Sequence, residues 1–260
     1  MSSSRRVSIL IGLMALGFAA LFAVDPVAQD LSYHQFSDRR TLFGIPNFED
    51  VASNVGFAIV GVLGVFTLLR RRRELFVAPA DVRPYLLFFI GVALVSLGSG
   101  YYHWAPSNAS LLWDRLPMSI AFMALSSAIV ADRINARAGN GWLLVVLVSL
   151  GLASLVYWDW TESLGRGDLR FYAFVQFYPM LALPIICWLY RDHYYTPVRY
   201  IAWLIAWYGL SKVLEFFDAA IFDITGNLVS GHSLKHLAAA IATYVVLRML
   251  LSRQLISKTA

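Results

Sequence analysis

The chain has 260 residues, of which 59% are hydrophobic and only 14% are charged, and its mean hydropathy is +0.63. An ordinary soluble domain carries about 25% charged residues, so this composition excludes one and indicates a membrane protein. The net charge of +5 requires no nucleic-acid partner, because most basic residues fall in alternate loops between apolar segments.

Eight apolar stretches are each long enough to cross the hydrocarbon core, which takes about 20 residues per helix. They cover residues 7–24, 51–69, 84–104, 111–131, 141–158, 171–190, 198–218 and 230–250. An open sheet would leave backbone groups unpaired in lipid, so the expected fold class is all-α. The chain is therefore expected to form one integral membrane domain over residues 1–260, a polytopic bundle of about eight transmembrane helices.

The first stretch has two interpretations. Arg5 and Arg6 followed by an apolar run are typical of a secretory signal peptide. The sequence at 22–26 is a poor cleavage site, however, which favours a retained helix. Residues 1–30 then form an extra N-terminal helix before a seven-helix core at 38–250, and cleavage would leave that core alone.

The basic residues between the apolar stretches are distributed unevenly. Fourteen of the 21 lie on the same predicted side as the N-terminus, four lie on the opposite side, and the other three fall in the helices. Cytoplasmic loops carry an excess of lysine and arginine. The sequence therefore predicts that both termini are cytoplasmic and that residues 25–50 lie outside.

Ionisable side chains at membrane depth are costly, so they are usually functional or paired. Of the five histidines, His34 is predicted in the first outside loop and His193 in a cytoplasmic turn. The other three fall at the outer ends of the third and the last helix, and an aspartate begins the fourth helix at the same depth. These four residues are His103, His232, His236 and Asp114.

The spacing of the histidines favours a metal site. His232 and His236 are four residues apart and share one helix face. A third imidazole from His103 completes a set that suits zinc with an open fourth position, as in catalytic zinc sites. Ser99 lies one turn before His103 on the same face and can donate a hydrogen bond into the site, and Asp114 can orient a ligand or bind the metal's water.

Each of these residues also has an ordinary structural explanation. Two histidines four residues apart are common by chance, and His103 beside a tryptophan is typical of the membrane interface. Ser99 lies between two glycines that permit close helix packing, and Asp114 can pair with Arg115 at the surface. The depth shared by three separate helices favours the metal site over these alternatives.

Taken together, the motifs resemble the alkaline ceramidase family. The resemblance rests on Ser-x-x-x-His at Ser99 and His103, the aspartate at 114, and His-x-x-x-His at His232 and His236. Residues 44–54 also resemble the start of that family's first core helix, and the resemblance covers about residues 38–250. The family belongs to a membrane hydrolase superfamily, often called CREST, that includes the adiponectin and progestin receptors. Its eukaryotic members have seven helices, so the first helix here would be an addition.

The resemblance implies a zinc-dependent amidohydrolase. His103, His232 and His236 would bind one catalytic zinc ion, which activates water and polarises the amide carbonyl of ceramide or a similar N-acyl lipid. Asp114 would carry a proton from the water to the leaving amine, and Ser99 would bind the oxyanion. The products would be a fatty acid and a long-chain amine such as a sphingoid base, and no obligate protein partner is expected.

One region departs from the family pattern. Eukaryotic alkaline ceramidases carry an acidic calcium-binding cluster just before their first core helix, where this chain has Asp38, Asn47, Glu49 and Asp50. Asn47 stands where the family has a ligating glutamate, and fewer carboxylates weaken calcium binding, so calcium is not the metal we expect. The alternative interpretation is that Asn47 caps the second helix, with Glu49 and Asp50 in its first turn.

Two further groups are predicted near the outer ends of the helices. Lys212, Glu215 and Asp218 follow each other at intervals of three and are expected to form an ion-paired strut beside the site. An aromatic belt at the membrane interface is predicted from Trp158, Trp160 and Tyr172.

Two other functional classes remain open. A receptor of the same superfamily would keep the zinc set with little turnover, although the short inside loops offer no effector surface. An ion-coupled transporter would also use histidines in the membrane. It would need polar groups through the full depth, whereas those of this chain cluster in the outer third.

Overall fold

The computed structural model describes residues 2–191 and 197–253, and these residues form eleven α-helices and no strand. The helices are α1 Ser3–Ala20, α2 Phe48–Ala52, α3 Val55–Leu75, α4 Arg83–Trp104, α5 Asn108–Arg133, α6 Ala136–Gly139, α7 Trp142–Ser163, α8 Arg170–Leu189, α9 Val198–Phe216, α10 Asp218–Ile224 and α11 Gly231–Leu251. The predicted all-α class is confirmed. His193, predicted in a cytoplasmic turn, lies outside the described residues.

Seven helical segments of the described chain are long and apolar enough to cross a membrane. They contain α1, α3, α4, α5, α7, α8 and α11, and α3 is extended by α2. The remaining predicted span, residues 198–218, corresponds to α9, a helix of 19 residues that carries Arg199, Lys212 and Glu215 and is not among the seven. The protein is an integral, multi-pass membrane protein built as a helical bundle.

The interior of the bundle is apolar and aromatic. Fully buried side chains from α3, α4, α5 and α11 meet there, among them Leu68, Tyr85, Phe89, Ile129 and Leu250. The N-terminal helix α1 is the extra helix expected beyond the core, and none of its residues is buried. It rests on α8, where a Cβ added at Gly17 would lie 3.1 Å from the ring of Phe174.

The segment that follows α1 is fastened to the loop between α7 and α8. Arg170 donates hydrogen bonds to the carbonyl groups of Leu21 and Val24 and binds Asp168 with Nη2 to Oδ2 at 2.7 Å. The hydrogen bonds from Arg170 lower the pKa of Asp168 to about 2, so this carboxylate is ionised at neutral pH. The segment is thus held against the core at the end of the bundle that contains the three buried histidines.

Candidate metal centre

Three buried imidazoles meet at one end of the bundle. His103 lies in the last turn of α4, and His232 and His236 lie in the first two turns of α11. Their exposed fractions are 0%, 5% and 5%, and their ring centroids are 4.8 to 5.1 Å apart. The ligand atoms lie within 4.8 Å of one another, and among the described residues this is the one such group that could hold a metal ion. We call this end of the bundle the metal end.

Several nitrogens of these rings have no hydrogen-bond partner. Both ring nitrogens of His103 and Nε2 of His232 are buried and unpartnered. Buried polar atoms are nearly always hydrogen-bonded, because an unsatisfied one costs free energy. Neutral imidazole nitrogens that converge without partners are the donor set that a transition-metal ion such as zinc prefers. The residues present therefore fit a metal ion.

The third ring is oriented by a serine. Ser53, which follows α2, places its Oγ 2.8 Å from Nδ1 of His236 and 3.2 Å from the carbonyl oxygen of Asp50. A hydroxyl that donates its proton to that carbonyl can accept a hydrogen bond from Nδ1–H of the ring, in the tautomer that a metal ion bound at Nε2 requires. Nε2 of His236 then carries the lone pair that binds a metal, which is the usual arrangement around metal-binding histidines. Sequence reasoning missed Ser53, although it lies in the segment that resembles the first core helix.

An aromatic ring from the first loop covers the site. The ring of Phe36 lies 4.6 Å from that of His103 and 4.8 Å from that of His232, measured between centroids. The loop is anchored by His34, whose Nδ1 and Nε2 lie 2.9 Å from the Tyr102 hydroxyl and from Oδ1 of Asn108. His34 therefore holds the loop in place, and Phe36 excludes water from one side of the imidazole set.

Asp218 fixes the start of α11. Its carboxylate accepts hydrogen bonds from the backbone N–H of His232 at 2.7 Å and of Ser37 at 3.2 Å. The close approach of the start of α11 to α9 requires glycine at position 231, because a Cβ there would lie 2.3 Å from the carbonyl oxygen of Leu214. Asp218 thus positions a histidine backbone and does not belong to the strut predicted with Lys212 and Glu215.

The predicted catalytic pair comes together through a close helix contact. A Cβ added at Gly98 would lie 2.1 Å from the carbonyl oxygen of Trp113, so α4 and α5 touch backbone to backbone there. This contact brings the buried hydroxyl of Ser99 within interaction distance of the carboxylate of Asp114. Both side chains line the same cavity as His236.

Arg115 binds an amide and two aromatic rings and forms no ion pair with Asp114, although its charge acts on that carboxylate. Its Nη2 donates to Oε1 of Gln29 at 2.6 Å, and its guanidinium lies 4.4 Å and 4.7 Å from the ring centroids of Trp158 and Tyr172. The predicted aromatic belt is therefore wrong for Trp158 and Tyr172, which are buried around this cation. Trp160 is 55% exposed, as a residue of such a belt would be.

The predicted strut is present with a different third member. Lys212 Nζ lies 2.6 Å from Oε2 of Glu215, and Lys235 Nζ lies 2.6 Å from its Oε1. The Tyr33 hydroxyl also donates to this carboxylate, at 3.2 Å. Lys235, which lies between the two histidines of α11, takes the place expected for Asp218.

A cavity of about 410 Å³ extends from these polar groups into the bundle. Its polar part is lined by Ser99, Asp114, Arg115, Lys212, Glu215, Lys235 and His236. Its deeper part is apolar, with Phe88, Val92, Leu125, Met180 and Leu204 in the wall. Between Phe88 and Ser99 it follows α4 for about 16 Å at about 1.5 Å per residue. Its size falls within the range of small-molecule sites, about 300–1,000 Å³.

Two of the carboxylates in the region compared with the calcium-binding cluster form ion pairs with an arginine. Arg40 binds Asp38 with Nε to Oδ1 at 2.8 Å and Glu49 with Nη2 to Oε1 at 2.9 Å. Burial raises the pKa of Asp38, but hydrogen bonds and charge from Arg40 outweigh it, so the pKa lies below its ordinary value. A guanidinium thus lies between two of the carboxylates considered for calcium.

The other two residues of that region, Asn47 and Asp50, form hydrogen bonds with the helices that carry the histidines. Asn47 precedes α2, and Glu49 and Asp50 lie in the first turn of that helix as predicted, but the side-chain amide of Asn47 makes no capping bond and donates instead to the backbone carbonyl of His103 at 2.8 Å. Asp50 is fully buried, and its Oδ1 accepts hydrogen bonds from Ser233 at 2.8 Å and Ser230 at 3.2 Å. Both residues connect the first core helix to the helices that carry the imidazoles.

Comparison with known proteins gives no assignment. No model of a known protein family matches this chain, and comparison with curated proteins finds no match. The geometry of the site therefore carries the functional argument.

Proposed function

We propose that the protein is a zinc-dependent amidohydrolase that cleaves the N-acyl amide bond of a membrane lipid, either ceramide or a ceramide-like lipid. The products would be a fatty acid and a long-chain amine. One observation carries the proposal: three buried imidazoles lie together, two of them with unpartnered nitrogens, and the third, His236, lines a largely apolar cavity beside a carboxylate and a hydroxyl. The resemblance of the motifs to those of alkaline ceramidases supports the same reaction.

The imidazoles of His103, His232 and His236 would hold the metal. Three neutral nitrogen ligands with an open fourth position are typical of catalytic zinc. Zinc in such a site makes water nucleophilic at neutral pH and polarises the carbonyl that is attacked. The covering ring of Phe36 keeps bulk water from the two histidines it contacts, which strengthens electrostatic interactions inside the site.

Asp114 and Ser99 would supply the remaining chemistry. Asp114 is not needed to complete the metal set, and its carboxylate faces the cavity. It can therefore accept the proton of the attacking water and return it to the leaving amine as a general base and acid. The hydroxyl of Ser99, one turn below His103, can donate a hydrogen bond to the oxyanion that forms at the carbonyl carbon.

The shape of the cavity suits a lipid. The wall deep in the bundle is apolar and can hold an acyl chain, while the polar groups lie at the depth of the histidines. Phe177 on α8 lines the cavity and is 45% exposed, and the lipid would enter the bundle beside this ring. An ion pathway would require polar groups along the whole cavity, and the apolar wall argues against the transporter alternative.

Turnover by the purified protein tests the proposal and separates an enzyme from a zinc-containing receptor. Fatty acid release would be followed in detergent with a panel of ceramides and other N-acyl lipids, with zinc content measured on the same samples. We expect about one zinc ion per chain, with hydrolysis that a chelator abolishes and added zinc restores. Zinc binding without hydrolysis of any member of the panel would favour the zinc-containing receptor instead.

We also propose that the metal end faces the outside of the cell and that both termini are cytoplasmic. The distribution of basic residues supports this orientation. Single cysteines replacing the exposed residues Gln35 and Arg72, in a Cys187→Ser background, would be treated with an impermeant reagent in intact cells. Labelling at 35 and not at 72 is expected, and the reverse pattern would invert the topology.

A further inference from the structure

The polar part of the cavity contains more positive than negative charge. Lys212 and Lys235, on α9 and α11, both bind the single carboxylate of Glu215. These three groups carry two positive charges and one negative charge. The side chains of Lys235 and Glu215 are only 15% and 17% exposed, whereas that of Lys212 is 36% exposed, so Lys235 and Glu215 form the part of this group that lies largely away from water.

A third cation lines the same cavity. Arg115 is 93% buried, since 7% of it is exposed, and its Nη1 has no hydrogen-bond partner. The neighbouring acid, Asp114, interacts with Lys235 and Arg115 as well as with Ser99 on the other helix. The cavity is thus lined by three basic and two acidic side chains, and a bound divalent metal ion would increase the excess.

Buried cationic donors without an acceptor are unfavourable in a membrane-embedded cavity. The lipid of the proposed reaction is the group that enters this cavity. A neutral headgroup would leave Nη1 of Arg115 and the spare donors of the lysines without an anionic acceptor, whereas a carboxylate or sulfonate would receive charge-assisted hydrogen bonds from them. A lysine ammonium has three donors, of which one on each lysine is directed to Glu215.

We infer that the amine portion of the substrate carries an anionic group, so that the substrate class is an anionic N-acyl amide such as an N-acyl amino acid, and the released amine is then an amino acid rather than a sphingoid base. Lys235 directly precedes His236 in the chain, and both line the cavity, so the anionic group would lie close to the amide bond. The inference rests on the proposed function for the amide and its cleavage. The anion-binding cluster of Lys212, Lys235 and Arg115 does not depend on it.

Binding to the metal-free protein tests the cluster without turnover. The full chain would be treated with a chelator, and the dissociation constants of N-palmitoylglycine and N-palmitoylethanolamine would be compared in the same detergent. These lipids share the acyl chain and the amide but differ in the charge of the headgroup. We expect the glycine conjugate to bind about tenfold more tightly, the factor typical of one charge-assisted hydrogen bond.

Three variants assign the preference to the cluster. Lys212→Gln should abolish it, and Lys212→Arg should retain it, which distinguishes charge from loss of folding. Arg166→Gln removes a charge from an exposed loop at the same end of the bundle and should leave the preference unchanged. Equal binding of the two lipids, tighter binding of the ethanolamine conjugate, no binding of either, or a preference that survives in Lys212→Gln would overturn the inference.

Turnover by the zinc-loaded protein then separates this inference from the proposed function. A binding preference without hydrolysis of either lipid would refute the amidohydrolase and leave the anion-binding cluster in place. Faster hydrolysis of ceramide or of the ethanolamine conjugate than of the glycine conjugate would support the amidohydrolase and refute an anionic substrate.

Discussion

At the end of the bundle opposite the histidines, the carboxylate of Asp132 accepts hydrogen bonds from the Tyr85 hydroxyl and the Arg253 guanidinium, and the nearby Arg133 donates to the carbonyl of Tyr190. At the metal end, both ring nitrogens of His103 have no partner. Both ends bury ionisable side chains, but at the first they bind one another and connect helices. At the second, imidazole nitrogens lie together without hydrogen-bond partners, as expected for a site that binds a metal ion. The comparison suggests that the metal end is functional and the opposite end structural.

The largest effect is expected when two of the imidazoles are removed together. The double variant His232→Ala, His236→Ala leaves only His103 of the three predicted ligands. A single imidazole cannot hold zinc, so the metal content should fall from about one ion per chain to near zero and hydrolysis should be lost. Elemental analysis and the lipid assay on the same sample would measure both. Glu74→Gln, in an exposed ion pair away from the histidines, should keep its zinc. Full zinc content in the double variant would refute the assignment of the ligands.

The next largest effect separates chemistry from metal binding. Asp114→Asn keeps the size of the side chain but removes the base, so zinc content should be retained while turnover falls by about 10²–10⁴-fold. Ser99→Ala should cost a comparable or smaller factor, because it removes one donor to the oxyanion. Rates and zinc content would be measured on matched preparations. Normal turnover by Asp114→Asn would exclude this role for the carboxylate.

The opposite end should respond in stability rather than in activity. Asp132→Asn leaves the buried Arg253 without its carboxylate partner, and breaking a buried pair in this way costs about 3–5 kcal/mol. Glu74→Gln is the matched control, because its ion pair with Arg71 is exposed and should contribute at most about 1 kcal/mol. Unfolding in detergent would measure both. A loss of stability no larger than that of the control would show that this pair is not the structural element we describe.

The smallest of these effects is expected from the hydroxyl that orients the third imidazole. Ser53→Ala removes the hydrogen bond to Nδ1 of His236 and should weaken zinc binding by about 10–100-fold without abolishing it. Ser53→Thr retains the hydroxyl and serves as the control. Competition with a chelator of known affinity would measure the difference. An unchanged zinc affinity in the alanine variant would show that the ring is oriented by packing alone.

The sequence alone determined the membrane class, the helices and the residues of the histidine set. Length and apolar composition decide whether a segment crosses a membrane, and these are properties of each segment by itself. The interval between His232 and His236 likewise fixes a shared helix face, because 3.6 residues make one turn. The order of the spans predicted that His103 lies at the same depth as these two histidines. In the structure its ring centroid lies 4.8 Å from each of theirs.

Only the tertiary structure decided which residues surround that set. Ser53 reaches His236, Phe36 covers two imidazoles, and Lys235 takes the place expected for Asp218 beside Glu215. Helical periodicity specifies a face along one helix, but it gives no information on which side chain of another helix meets that face. That choice depends on how closely two backbones approach, as at Gly98, and on the path of the loops, which carry no periodic pattern.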